Sequence, residues 1–484
     1  ANQLNCQVIG EGANLGVTQR ARIEFGLLKG RLNTDSVDNS AGVDCSDHEV
    51  NIKILLNSVV AKGKLTQAQR NKLLAKMTGE VGDLVLRDNY LQTQAITLVE
   101  AQDIELLDHQ TRFMRFLERK GRLDRAIEFL PDEETLIDRE KGSIGLTRPE
   151  ISIIIPYAKL WLYDMILDSD LPDNANLRQD LIDYFPTPLR AKYRNDIFQH
   201  RLKREIIATV VTNSMINRVG GTFVTNMMEK SGAEPIDIAR AYIATRDAFG
   251  LEDIWAEIET LDNKVDAAMQ VTLLKDVNKL IERSTLWFLR NARKPIDIGA
   301  NIKEFSSAIK MLAGKIERVA PESATSRVNF RVNRYARLGV PQDLARRVAY
   351  LILLVSSLDI VRTSASCKMG VEDTAGIYFE IGETFGLGWL RYNAEKLPGD
   401  NYWQKLASAA VIEELYDHQK GITAMIMSSA ANGSNPLVQW SKINSATMDQ
   451  TKQMLNELES AEQVDLSMLA VVSRHLGSII GTTD

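Results

Sequence analysis

The chain has 484 residues, 44% of them hydrophobic and 25% charged, and a net charge of −6. That is the composition of a globular chain long enough for two or more cores, and its mildly acidic balance argues against general affinity for nucleic acid or an anionic membrane surface. Three scattered cysteines (Cys6, Cys45, Cys367) without a CxxC argue against a disulfide scaffold or zinc cage and fit a reducing, cytoplasmic setting.

The first residues, "ANQLNCQVIG", lack an initiator methionine and the basic start and apolar stretch of a signal peptide. They read as part of a longer or processed polypeptide. "CQVI" predicts a short strand and "GEGANLG" a loop. "VTQRARIEFGLLKG" predicts a helix, with Ile23, Leu27 and Leu28 at helical spacing and Gly30 as its stop. "RLNTDSVDNSAG" is a poor strand running into a polar turn, and "VDCSDHEVNIKILLNSVVAKG" a second helix. This strand–helix–strand–helix unit calls for a parallel sheet to complete it.

Everything beyond reads helical. Thr66, Thr147 and Asp465 mark helix starts, and Pro149 suits a first turn. Ile258, Leu261, Val265, Ala268 and Met269 make one apolar stripe; Leu273, Val277, Leu280, Ile281 and Phe288 make the next. The longest apolar run, Val348 to Leu354, is too short to span a bilayer and predicts a buried helix. "SSAANGSNP" (428–436) predicts a loop. The expected fold is mainly α: residues 1–60 form an incomplete Rossmann-type α/β segment, and residues 61–484 form a helical domain with a sub-boundary near 140.

Gly10, Gly12 and Gly16 give G-x-G-x-x-x-G between a predicted strand and a helix, with Asp35 about 20 positions on, part of a dinucleotide fingerprint. The spacing is a variant, and Glu11 puts a carboxylate where a diphosphate would approach. A plain glycine turn accounts for the pattern as well. Asn14 and Asn39 each fall just beyond a predicted strand's carboxyl end, where ligands of open parallel sheets sit. Their amides both donate and accept, as a ribose or a carboxamide requires. Ser46 lies seven residues after Asn39, a span of about two helical turns, in a helix predicted to start near Gly42. Turn and cap chemistry is the competing account of all three.

"EGAN" followed by "NSAGVDCS" resembles the glutamate dehydrogenase family. Over "GEGANLGVTQRARIEFGLLKGRLNTDSVDNSAGVDCSDHEVNIKILL" the chain resembles the large bacterial NAD-specific members, as do "LTRPEISIIIPYAKL" and "HRLKREIIATVVTNSMINRVGGTFV" further on. The resemblance implies that Asn14 lies beside the nicotinamide–ribose and substrate, that Asn39 contacts the nicotinamide, and that Ser46 helps hold the substrate's distal carboxylate. It makes residues 1–60 the C-terminal end of an incomplete dinucleotide-binding catalytic domain and places "GEGANLG" at a later strand end of that domain rather than at the diphosphate. Ser40 and Ala41 depart from the family's "NAGG". The implied cofactor is NAD and the implied substrates are L-glutamate and 2-oxoglutarate. The catalytic lysine, the proton-shuttling carboxylate and the diphosphate loop would come from upstream segments of the same polypeptide. No catalytic residue is therefore assigned here, and the chain alone is expected to be inactive. A homo-oligomer is expected, without nucleic-acid or membrane partners. The alternative reading is a helical oligomerisation or regulatory scaffold.

Other candidates are weaker. Lys53 sits on an amphipathic helix as a solvated lysine. Asp47, His48 and Glu49 point in different directions along a helix, and the five histidines show no ligand spacing, so no metal site is assigned. Arg327, Arg331, Arg334 and Arg337 form a solvated or interface face, or an anion site. Cys45 is either a small packed side chain or a thiol near the crevice.

Overall fold

The structure is a computed structural model and describes residues 3–398, 402–429 and 435–481. The first seven helices are α1 (Gln19–Leu27), α2 (Asp35–Asp38), α3 (Ala41–Ala61), α4 (Gln67–Glu100), α5 (Ile104–Arg119), α6 (Glu133–Lys141) and α7 (Arg148–Leu167). The rest of the described chain is helical as well, as expected.

The Rossmann-type α/β segment is not formed. Among the described residues, β pairing reduces to one isolated parallel bridge between Val8 and Arg31. It is framed by Ile9 N–H to Arg31 O and Arg31 N–H to Gln7 O, both 2.9 Å. A parallel pair is stable when both of its faces are covered, whereas Val8 is 66% exposed. The second predicted strand also lacks a period-2 apolar pattern, and its Asp35–Asp38 winds into a helical turn instead.

The helix starts follow the side-chain chemistry that predicts them. Thr66 and Gln69 form a reciprocal capping box at α4. At α7 the Thr147 amide and hydroxyl both donate to Glu150 at 2.7 Å, with Pro149 in the first turn. Asp465 accepts from the Met468 amide at 2.8 Å. The run Val348 to Leu354 lies in the largely buried helix Gln342–Leu354. No helix among the described residues is long and apolar enough to cross a membrane. The predicted loop at 428–436 falls largely on residues 430–434, outside the described ones.

One predicted stripe is split. Ile258 ends the helix Leu251–Glu259, and Met269 belongs to Ala267–Asn291. Between them the chain turns through Asn263 at φ +60°. Ile258, Leu261, Val265 and Met269 are nonetheless buried, while Ala268 is exposed. The second stripe holds: Leu273, Val277, Leu280, Ile281 and Phe288 are all buried along one helix.

The chain divides into two compact units. The first comprises Ala1–Ala244 with Phe288–Gly299, the second Thr245–Trp287 with Ala300–Asp484. In the first, α3 packs on α4, and α4 and α7 pack on the helix Lys203–Val219. Ile52, Leu55, Leu56 and Val59 give α3 its buried face. In the second, Tyr402–Ser428 packs against Leu387–Lys396 and Leu466–Gly481, around Phe385, Leu390, Leu415, Ile422 and Leu476.

Candidate functional site

The loop "GEGANLG" is tied down by its own acid. Glu11 is buried and forms a bidentate pair with Arg22 of α1, Nε to Oε2 at 2.5 Å and an Nη to Oε1 at 2.9 Å. Its Oε1 also accepts the Val17 amide at 3.0 Å. A paired fork of this kind fixes orientation as well as charge. Asp35 completes the clasp, accepting the Leu15 amide at 2.8 Å and lying 3.2 Å from Arg22. The Leu15 hydrogen bond, with Arg22 beside it, holds the Asp35 carboxyl below its ordinary range against the opposing effect of burial. Glu11 and Asp35, the two acids that the glycine pattern brought into question, thus hold the loop's shape.

The far side of the loop is fastened to α2. The Glu11 amide donates to Asp38 at 3.0 Å, Asn33 donates to the other Asp38 oxygen at 2.8 Å, and Arg148 of α7 donates to Asn33 at 3.1 Å. From α4, the Asn89 amide donates to Val37 O at 2.8 Å and to the Ser40 hydroxyl at 3.0 Å. The α2–α3 junction that carries Asn39 is therefore clamped on both sides of that residue.

This scaffold brings two of the sequence-derived residues together. Asn39 Nδ2 donates to Asn14 Oδ1 at 2.7 Å. The cap reading of Asn39 is not what the structure adopts: Ser40 stands at the N-cap of α3, with no side-chain cap bond. Asn39 closes α2 through its backbone, its N–H reaching Asp35 O at 2.8 Å. Ser46 stands apart. It is exposed on α3 and its hydroxyl donates to Gly42 O at 3.1 Å. A cleft of about 660 Å³ opens beside the loop, lined by Gly10, Glu11, Gly12, Arg31, Asn33 and Asn89 among others. None of Asn14, Asn39 and Ser46 lines it.

The remaining candidates sort by their contacts. Lys53 is an exposed lysine paired with Glu49 one turn away. Asp47 accepts the Tyr184 hydroxyl at 2.7 Å, whereas Glu49 pairs with Lys53, so the two carboxylates face different partners. Arg331 turns to Asp276 and Tyr335, while Arg327, Arg334 and Arg337 stay exposed. Cys45 is exposed rather than packed. Sequence reasoning missed Arg22, Asp38, Asn89 and Arg148. The one available signal was Glu11, an acid between two glycines with an arginine on the following helix.

A helical protein with a paired-amide loop on a rigid clasp is the class these observations define. Comparison with known proteins is specific. The family model for the C-terminal part of glutamate dehydrogenase matches residues 143–478, and that for the catalytic domain of bacterial NAD-glutamate dehydrogenase matches residues 1–99. The chain belongs to the bacterial NAD-glutamate dehydrogenase family. It is 39% identical over 477 residues to an NAD-specific glutamate dehydrogenase of Pseudomonas aeruginosa, covering 98% of this chain and 29% of that protein. The like-named protein of Halomonas elongata is 37% identical over 477 residues, covering 98% and 30%. That of Mycobacterium tuberculosis is 33% identical over 486 residues, covering 100% and 30%. The chain thus spans less than a third of the length of these relatives.

Proposed function

We propose that this chain is the C-terminal portion of an NAD-dependent glutamate dehydrogenase, which converts L-glutamate, NAD and water to 2-oxoglutarate, ammonium and NADH. The observation that carries this reading is the Asn14–Asn39 amide pair, held rigidly within the segment that matches the family's catalytic domain. The bond between them uses the Asn39 donor and the Asn14 acceptor. It does not use the Asn14 N–H groups or the Asn39 carbonyl, and donors and an acceptor of this kind complement a carboxamide. Bound NAD supplies the hydride acceptor. Asn14 and Asn39 orient its nicotinamide–ribose end, and Ser46 bonds the substrate's distal carboxylate. Upstream segments of the same polypeptide supply the lysine and the carboxylate that move protons, so the isolated chain is inactive. The helical part serves a cytoplasmic homo-oligomer; three unpaired cysteines suit that compartment, and exposed Phe330 and Ile443 suit an interface.

Asn39→Asp in the full-length enzyme tests the site. Asn14 can turn its amide and donate to the new carboxylate, so thermal stability should stay within experimental scatter. The added charge faces the nicotinamide and an anionic substrate, so turnover should fall at least roughly tenfold, equivalent to about 1.4 kcal/mol in the barrier. Near-normal turnover removes Asn39 from the site.

A further inference from the structure

A second cluster lies on the other side of α3. Asp44 and His48 are four residues apart, one turn of the helix, and so share a face; Ser46, two residues from each, is turned about 200° away. Asp88 reaches the same place from α4. One ligand-capable atom from each of the three lies within 4.8 Å of the other two. His48 is 3% exposed, its Nδ1 has no hydrogen-bond partner, and its Nε2 stands 3.8 Å from Asp88, beyond hydrogen-bond length. Asp44 Oδ2 is likewise buried and unpartnered. Lys159 of α7 faces the cluster, but its ammonium donates to Gln92 at 3.1 Å rather than to either carboxylate.

We propose that Asp44, His48 and Asp88 form a binding site for a divalent transition-metal ion such as Zn²⁺. A single added proton would neutralise one carboxylate and still leave other lone pairs unmatched. A dication satisfies all three donors at once, and one imidazole with two carboxylates is a donor set that zinc accepts. Metal–ligand bonds of about 2.0–2.2 Å place tetrahedral neighbours about 3.4 Å apart, so the donors must close by up to ~1.4 Å. Rotation of the two carboxylates supplies that movement, because both residues are only half-buried. The imidazole is held in place by stacking on Tyr184, with ring centroids 4.7 Å apart. Tyr184 in turn is fixed by its bonds with Asp47 and Asn51. Packing and outer hydrogen bonds that orient a ligand before the metal arrives are the usual support of such sites. The Asp88 side chain is 43% exposed, which gives an entry path and leaves a coordination position to water.

The test is calorimetric titration of the chelator-treated 484-residue chain with ZnCl₂. One saturable equivalent per chain is expected, weakened at least tenfold in Asp44→Asn and in Asp88→Asn. Asp88 is half-exposed, so its variant reads out even if the Asp44 variant misfolds. Lys159→Met removes a competing positive charge and should tighten binding several-fold. Co²⁺ in place of Zn²⁺ should give visible d–d absorption that Asp88→Asn abolishes. Absence of saturable binding overturns the proposal. So does binding of equal strength in the wild type and both carboxamide variants, which would locate the ion at other surface groups.

Discussion

Replacing Asp359 by asparagine should stabilise the protein at pH 8 and leave it unchanged at pH 4. Asp359 is 3% exposed in the helix Ser357–Cys367. Burial pushes its carboxyl from 3.8 up to about 6, although Lys420 at 3.8 Å and the Trp287 indole N–H at 2.6 Å both favour the charged form. Because the folded-state value lies above the unfolded one, the folded protein retains a proton that the unfolded chain has released. Stability from this group is therefore lost as pH rises from about 4 through about 6 and stays lost above that. A shift from 3.8 to about 6 amounts to about 3 kcal/mol. Asparagine keeps an acceptor for Trp287 and removes the buried charge, at the expense of the attraction to Lys420. We expect a gain of ~1–3 kcal/mol at pH 8, seen as a urea midpoint higher by on the order of 1 M. The difference between variant and wild type isolates Asp359 from other groups that titrate in the same range. An unchanged or lower midpoint at pH 8, or the same gap at both pH values, would refute the reasoning.

Three further outcomes follow from the candidate site and its supports. Glu11→Ala removes the bidentate partner of the buried Arg22 guanidinium and leaves it Asp35 at 3.2 Å and Gln19 at 3.3 Å, so it should cost about 1.5–3 kcal/mol in urea unfolding, with faster amide exchange at Val17; a cost below about 1 kcal/mol would mean that the clasp contributes little. Gly30→Ala would set a Cβ 2.2 Å from the Phe25 ring, so the melting temperature should fall, and an unchanged melt would mean that the ring moves freely. In the full-length enzyme, Ser46→Ala should raise KM for glutamate more than KM for NAD, by a lost bond of roughly 1.5–3 kcal/mol to a charged group. Equal changes in both constants would speak against Ser46 as a carboxylate ligand.

Local signals in the sequence settled what depends on neighbours along the chain. Thr66, Thr147 and Asp465 start helices because hydrogen bonds between a side chain and a backbone amide join residues only three apart. The stripe from Leu273 to Phe288 is buried because helical spacing puts those side chains on one face. Asn14 and Asn39 were legible as a pair through the residues around them, yet their contact needed the fold: they are 25 positions apart and meet because Glu11, Asp35, Asp38 and Asn89 fasten loop to helix. Tertiary structure alone decided three matters. It left the Val8–Arg31 pairing as a single bridge, since a parallel pair is stabilised by layers covering its faces rather than by its own residues. It broke the stripe at Ile258 with a turn, because burial of Leu261 and Val265 does not require a continuous helix. And it set Asp88 against Asp44 and His48, a juxtaposition made by the packing of α3 on α4, which no spacing within either helix encodes.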